Sequence, residues 1–314
     1  MKFATKISFC FLLCLFFLFS CKDKKQPENT LTSGIIEIAC AENFQNIIAS
    51  EVEVFSVHNP EAFVFPRYTS EDNAIKMLID DSVRLAIVSR DLNAAEKAKF
   101  PKNRIIRKYI FAFEGIAIIA NKSNRDTLFS ISELTKILKG ETVTWKQLNP
   151  DSPLDTIRVF FNNNESSVLR YVVDSLTSGT KKISKYLYAT NNTEELFEKI
   201  AKTPNAIAVV GLNQLGNETS KNYEQAAQKV RFVWISKEEK ATGQNSFLPY
   251  AGDLNKEQYP LWRPIYVLLA ETREGLPKGF CFFLTQEVGQ KVVLKAGLMP
   301  ITDAQNTWTQ WGEK

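Results

Sequence analysis

Four short polar clusters in this chain place backbone amides, hydroxyls or a guanidinium where they can gather round an anion. Ala41-Glu42-Asn43-Phe44, Thr69-Ser70-Glu71 and Asn164-Glu165-Ser166-Ser167 each follow a β-prone run and precede a helical one. The first turn of a helix carries unpaired N–H groups and a partial positive charge, so it holds anions without a full cation. Ser89-Arg90-Asp91 follows the apolar run Arg84–Val88. Open α/β sheets place ligands at such a strand end, and the Arg90 guanidinium there can grip an oxyanion through two N–H groups. Arg170 lies one turn beyond Ser167. The competing assignment is structural. Capped helix starts are expected in any α/β protein, and Arg90 beside Asp91 also suits an exposed ion pair worth about 0–1 kcal/mol.

Catalytic patterns are missing from the sequence. It has one histidine, His58, in a turn-like VHNPEAF stretch, and no GxSxG, HExxH, P-loop or paired CxxC. These are the spacings that nucleophilic, metal-assisted or phosphate-loop chemistry requires. Glu42 and Glu71 are carboxylates available for acid–base work, but nothing in their spacing demands it. The expectation is binding without turnover, with no cofactor and no metal.

The elements that must position these clusters alternate in type, which predicts an α/β architecture. Strands are expected over Gly34–Ala39, Ala62–Tyr68, Arg84–Val88, Asp155–Phe161, Ala206–Val210 and Val230–Ile235. Helices are expected over Phe44–Phe55, Ser70–Ile79, Ser130–Leu138, Val168–Leu176 and Thr193–Ala201. Capping boxes are expected at Thr69/Asp72 and Ser130/Glu133. Lys278–Ala296 reads as a helical pair broken near Thr285. Arg107–Asn121 is β-prone over a length well above the usual strand of about 5–6 residues. A strand that leaves one domain and enters another has this character, and Pro260–Glu271 has the composition to cross back.

The amino terminus bears on location. Lys2 and Lys6 precede an unbroken apolar run, Phe9–Phe19, and Ser20-Cys21 follows. Such a run is of secretory-leader length and short of the roughly 20 residues of a membrane span. The Ser20-Cys21 junction resembles the lipobox of bacterial lipoproteins, with cleavage before Cys21 and acylation of that cysteine; an ordinary leader with a chance cysteine is the alternative. Lys22–Ser33 is polar and aperiodic, the composition of a disordered tether. Its twelve residues would reach on the order of 40 Å. With Lys2 and Lys6 removed, the formal net charge of +4 falls by two, which gives no case for nucleic acid. Cys10 and Cys14 leave with the leader, so the body retains Cys40 and Cys281, both inside apolar patterns. They read as unpaired core thiols, although an exported protein would permit a bridge.

Taken together, GIIEIACAENF, RLAIVSRDL, FEGIAIIANKSN, ISELTKILKGETVTWKQLNP, AIAVVGLN, YPLWRPIYV and GFCFFLTQEVGQKVVLKAGLMP resemble, in order and spacing, a phosphate-type periplasmic substrate-binding protein, the receptor of an ABC importer. The resemblance implies a type II periplasmic-binding-protein fold: α/β, two-lobed, with a hinge and an interlobe cleft. It implies a leader over 1–20, a lipidated tether over 21–33, lobe one over 34–113 and 248–314, and lobe two over 114–247. It turns the polar clusters into a ligand site of Glu42, Asn43, Phe44, Thr69, Ser70, Ser89, Arg90, Glu165, Ser166 and Ser167. The implied partners are a small inorganic oxyanion, phosphate first, an ABC permease and a membrane on the periplasmic side. Phosphate receptors carry an aspartate where Ser89 stands, an arginine near Phe161, and Ser-Gly-Thr where Glu165-Ser166-Ser167 stands. Arg90 and Glu165 are the replacements at hand for the missing charge and proton acceptor. These departures leave a second expectation, a surface or sensory lipoprotein of the same fold that has lost phosphate specificity.

Overall fold

The computed structural model describes residues 28–101, 104–162, 167–177, 183–215 and 228–302. The leader, Cys21 and the tether as far as residue 27 lie outside the described residues, as do Glu165, Ser166 and the polar stretch 216–227.

The chain begins with β1 (Gly34–Ala41), a 3-10 turn at Glu42–Phe44, α1 (Gln45–His58), β2 (Ala62–Thr69), α2 (Glu71–Ile79), β3 (Leu85–Val88) and α3 (Ala94–Lys99). It continues through β4 (Arg107–Asn121), β5 (Leu128–Ser130), α4 (Ile131–Lys139), β6 (Arg158–Asn162), α5 (Ser167–Thr177), β7 (Leu187–Thr190), α6 (Thr193–Lys202), β8 (Ala206–Gly211) and α7 (Leu212–Leu215). It ends with β9 (Val230–Phe232), β10 (Trp234–Ser236), β11 (Ser246–Phe247), α8 (Ala251–Asn255), β12 (Trp262–Leu269), α9 (Leu276–Thr285), α10 (Glu287–Lys295) and β13 (Met299–Pro300).

One sheet runs in the order β2-β1-β3-β12-β4-β8-β6-β7, with β9 and β13 also pairing with β4. β4 is the shared element. Its first half pairs antiparallel with β12, from Arg107 opposite Leu269 to Gly115 opposite Trp262. Its second half, Ile116–Ala120, pairs with β8. The apolar cores divide along the same line. Ile38, Phe44, Phe55, Phe111, Ile265, Phe280 and Leu298 share one cluster, whereas Ile116, Ile118, Trp145, Phe161, Val172, Tyr259 and Leu261 share another. This is the two-lobed α/β fold. Leu254, Tyr259 and Leu261 belong to the second core, beyond the 247/248 division expected from sequence.

Local chemistry explains several element starts. Ser130 and Glu133 form the reciprocal capping box that opens α4, and Gly140, at φ 74°, supplies the left-handed residue that closes it. At α2 the expected Thr69/Asp72 box does not form. Ser70 is the cap instead, accepting from the Asn73 N–H, so the register moves by one residue. The run Val230–Ile235 is two strands, not one: Val230–Phe232 pairs with β4 and Trp234–Ser236 with β5. Cys40 and Cys281 are buried and free.

The end of the expected tether is ordered. Ser33 Oγ donates to the Glu28 carbonyl at 2.5 Å and the Thr30 N–H to the Ser33 carbonyl at 3.0 Å. Asn29 Oδ1 accepts from the Leu276 N–H at 2.9 Å and so caps α9 from the far end of the chain. Gly279 has no side chain because the Leu31 backbone lies directly against it. These contacts outweigh the polar composition that made Lys22–Ser33 look uniformly disordered.

Candidate functional site

Charged residues inside apolar strands must be paired, because an isolated buried ion costs several kcal/mol. β4 carries Glu114 and β12 carries Arg263, both 0% exposed. They face each other where β4 passes from one core to the other, with Arg263 Nε and Nη2 at 2.8 and 2.7 Å from Glu114 Oε2. Burial pushes the Glu114 carboxyl up, and Arg263 opposes that. Gly211 leaves room for Glu114, since a side chain there would strike the carboxylate.

The remaining face of Arg263 is the centre of the site. Its Nη1 donates to Ser89 Oγ at 3.2 Å and to Ser167 Oγ at 2.9 Å. Ser89 directly follows β3 in the first lobe and Ser167 opens α5 in the second, so one guanidinium ties the two lobes. The Phe44 ring stacks 5.2 Å from the guanidinium carbon. Tyr171, one turn along α5, donates its hydroxyl to the Trp262 carbonyl. Asn213 of α7 adds a second tie, donating to the Asn43 carbonyl at 2.5 Å and accepting from Asn46 Nδ2 at 3.3 Å.

Glu71 completes the cluster. Its Oε1 accepts from the Ser89 N–H at 2.5 Å and from Ser89 Oγ at 2.7 Å, and its Oε2 pairs with Arg170 Nη1 across the lobes. Arg170 Nη2 also reaches Ser89 Oγ at 3.3 Å. Burial raises the Glu71 carboxyl, but Arg170 and the Ser89 hydrogen bonds outweigh it, so the group lies below the usual carboxylate range.

The structure therefore brings Phe44, Ser89 and Ser167 onto one guanidinium, with Asn43 tied to the second lobe beside them. Thr69 and Ser70 lie at the start of α2, one and two residues before Glu71, where Thr69 Oγ1 accepts from Asn73 Nδ2 at 2.8 Å. Glu42 is exposed on the 3-10 turn. Arg90 borders the cluster instead: its guanidinium binds Glu96 at 2.7 and 2.8 Å, Asp72 at 2.6 Å and the Asp91 carbonyl at 3.1 Å, and its Nε lies 3.8 Å from Glu71 Oε2. The Glu96 bonds are the largest influence holding it in its charged form, against the opposing effect of burial. Sequence reading placed Glu71 in a candidate cluster but not among the ligand-site residues, and it missed Glu114, Asn213 and Arg263. For the buried pair a signal existed: FAFEGIAII and PLWRPIYV each hold one charge, of opposite sign, in an apolar strand.

Hydroxyls and guanidinia that meet between two lobes are suited to holding a small anion, with closure as a hinge motion. Comparison with known proteins agrees with the two-lobed fold. A family profile described as a PBP superfamily domain matches residues 25–288. A phosphate-binding protein PstS from Borreliella burgdorferi is 22% identical over 296 residues, covering 93% of this chain and 96% of its own. A putative phosphate ABC transporter substrate-binding protein from Clostridium perfringens, solved with bound phosphate, superposes with a TM-score of 0.70 at 17% identity, covering 86% of this chain and 100% of its own. An ABC-type phosphate transport receptor from Vibrio cholerae superposes at 0.65 with 22% identity, covering 84% and 99%.

Proposed function

Because the chain belongs to the PBP superfamily, we propose that it is an extracytoplasmic receptor that captures phosphate, or a closely related tetrahedral oxyanion, between its lobes and delivers it to an ABC importer. The observation that carries this reading is the convergence of Ser89 and Ser167, from separate lobes, on the buried Arg263. The relatives, known as phosphate-binding proteins and phosphate transport receptors, support the ligand class.

In this reading the ligand lies among the amides of residues 42–44, the hydroxyls of Thr69, Ser70, Ser89, Ser166 and Ser167, and the Arg170 guanidinium. Glu165 belongs to the same proposed set. Arg90 acts at one remove, by fixing Asp72 and Glu96 at the rim. Lobe one comprises the chain up to the β4 crossing and from β12 onward; lobe two is the part between. Cys21 carries acyl chains and holds the body on the periplasmic side of a membrane.

Calorimetry on the purified mature chain with phosphate, sulfate, molybdate and small carboxylates tests the ligand. Saturable heat with phosphate is expected, and no binding of any of these anions would refute the reading. Anchoring is tested by fractionation: Cys21→Ser should release the protein from membranes, and a variant still held there overturns the lipid anchor. A second reading, a surface or sensory protein of this fold, draws on one observation. Arg90, Arg170 and Arg263 each already face a carboxylate. Partner capture that survives loss of anion binding would favour it.

A further inference from the structure

Glu71 makes the contacts that a bound oxyanion would make. Its side chain is 3% exposed, at the first residue of α2. One oxygen takes a backbone N–H and a hydroxyl from Ser89, and the other takes the Arg170 guanidinium, with Arg90 Nε 3.8 Å from that same oxygen. Amide, hydroxyl and guanidinium are the donor types that recognise phosphate.

The hydroxyl shows that these donors are already engaged. A serine has one proton to give and two lone pairs. Ser89 Oγ gives its proton to Glu71, while Arg170 and Arg263 both point N–H groups at it, at 3.3 and 3.2 Å. All three capacities are filled. An incoming anion finds no free hydroxyl proton at Ser89 while Glu71 holds it, and it meets a carboxylate of its own sign.

We infer that the Glu71 carboxylate is an internal occupant of the anion's donor set, which a ligand must displace before it can use Ser89 and Arg170. The inference rests on the oxyanion reading above and deepens it. Glu71 weakens capture, so the receptor is tuned to surroundings in which its ligand is plentiful. The Glu71–Arg170 pair also joins the lobes, so displacement couples ligand entry to the interlobe contact. A carboxylate that instead received a proton from the ligand would have the opposite effect on affinity, and removing it would weaken binding.

The test is calorimetry of the mature chain with inorganic phosphate, comparing wild type with Glu71→Gln and Glu71→Ser. Gln keeps the shape of the side chain and removes its charge. Ser covers the case in which Gln fails to fold, and circular dichroism reports folding of each. Freeing donors that make charge-assisted hydrogen bonds should tighten phosphate binding roughly 10- to 100-fold. Wild-type binding that both folded variants leave equal or weaken overturns it and leaves the oxyanion reading standing. Silence from all three proteins overturns both.

Discussion

Glu51 offers a quantitative test of the first lobe. It lies on α1 with its side chain fully buried, and among the described residues neither carboxylate oxygen has a hydrogen-bond partner. Burial pushes its pKa up to about 9, so the native protein holds this carboxyl protonated at neutral pH. The unfolded chain releases that proton near the ordinary glutamate value of about 4.3. A raised folded pKa contributes stability that is complete below the unfolded value and lost as pH rises through the folded one. In that window the loss is about 1.4 kcal/mol per pH unit, or about 4 kcal/mol between pH 5 and pH 8. Glu51→Gln keeps the shape and has no proton to lose. Urea unfolding of both proteins at several pH values in this range isolates the effect, because every other titrating group cancels in the difference. The variant should gain on wild type steadily, by about 4 kcal/mol over the range. A difference that stays constant with pH refutes the reasoning, since it would mean that Glu51 is ionised and paired.

Other tests address the hinge, the thiols and the amino-terminal turn. Arg263→Met alone strands the Glu114 carboxylate and should cost about 3–5 kcal/mol in denaturant unfolding. Adding Glu114→Gln should return most of it, and a double variant as unstable as the single one argues against the pair. Burial raises both core thiols, Cys281 to about 12, so neither should react with Ellman's reagent in native buffer at pH 8, and both should appear in guanidinium; native-state labelling of Cys40 or Cys281 contradicts their burial. Asn29→Ala removes the remote cap on α9 and should cost about 1 kcal/mol, with faster limited proteolysis over residues 28–33. Unchanged cleavage there would mean that the turn is held by other contacts.

The scaffold was legible wherever periodicity and caps agree. The long β4 strand, the Ser130/Glu133 box and the break near Thr285 all follow from local sequence. Val230–Ile235 was read as one strand because nothing local signals that Val233 separates two pairings. The site was legible only in part. Ser89 and Ser167 stand at element ends, where sequence logic looks. Arg90 drew attention for the same reason, but three acidic neighbours from α2 and α3 take up its fork, and their approach depends on packing. Arg263 and Glu114 are in strand interiors, and only their register across the sheet pairs them. Glu71 was legible as a member of the Thr69-Ser70-Glu71 cluster and as a free carboxylate; its engagement with Ser89 and Arg170 is a tertiary fact.

The position of β12 between β3 and β4 governs when the chain can fold. On the ribosome, β1 to β4 emerge long before residues 262–269, so the first lobe's sheet lacks a middle strand until nearly the whole polypeptide has been made. Closing so distant a pairing is slow. A chain destined for export would thereby stay threadable through a translocation channel until its last sixth arrives, and completion of the sheet on the far side would make the passage one-way.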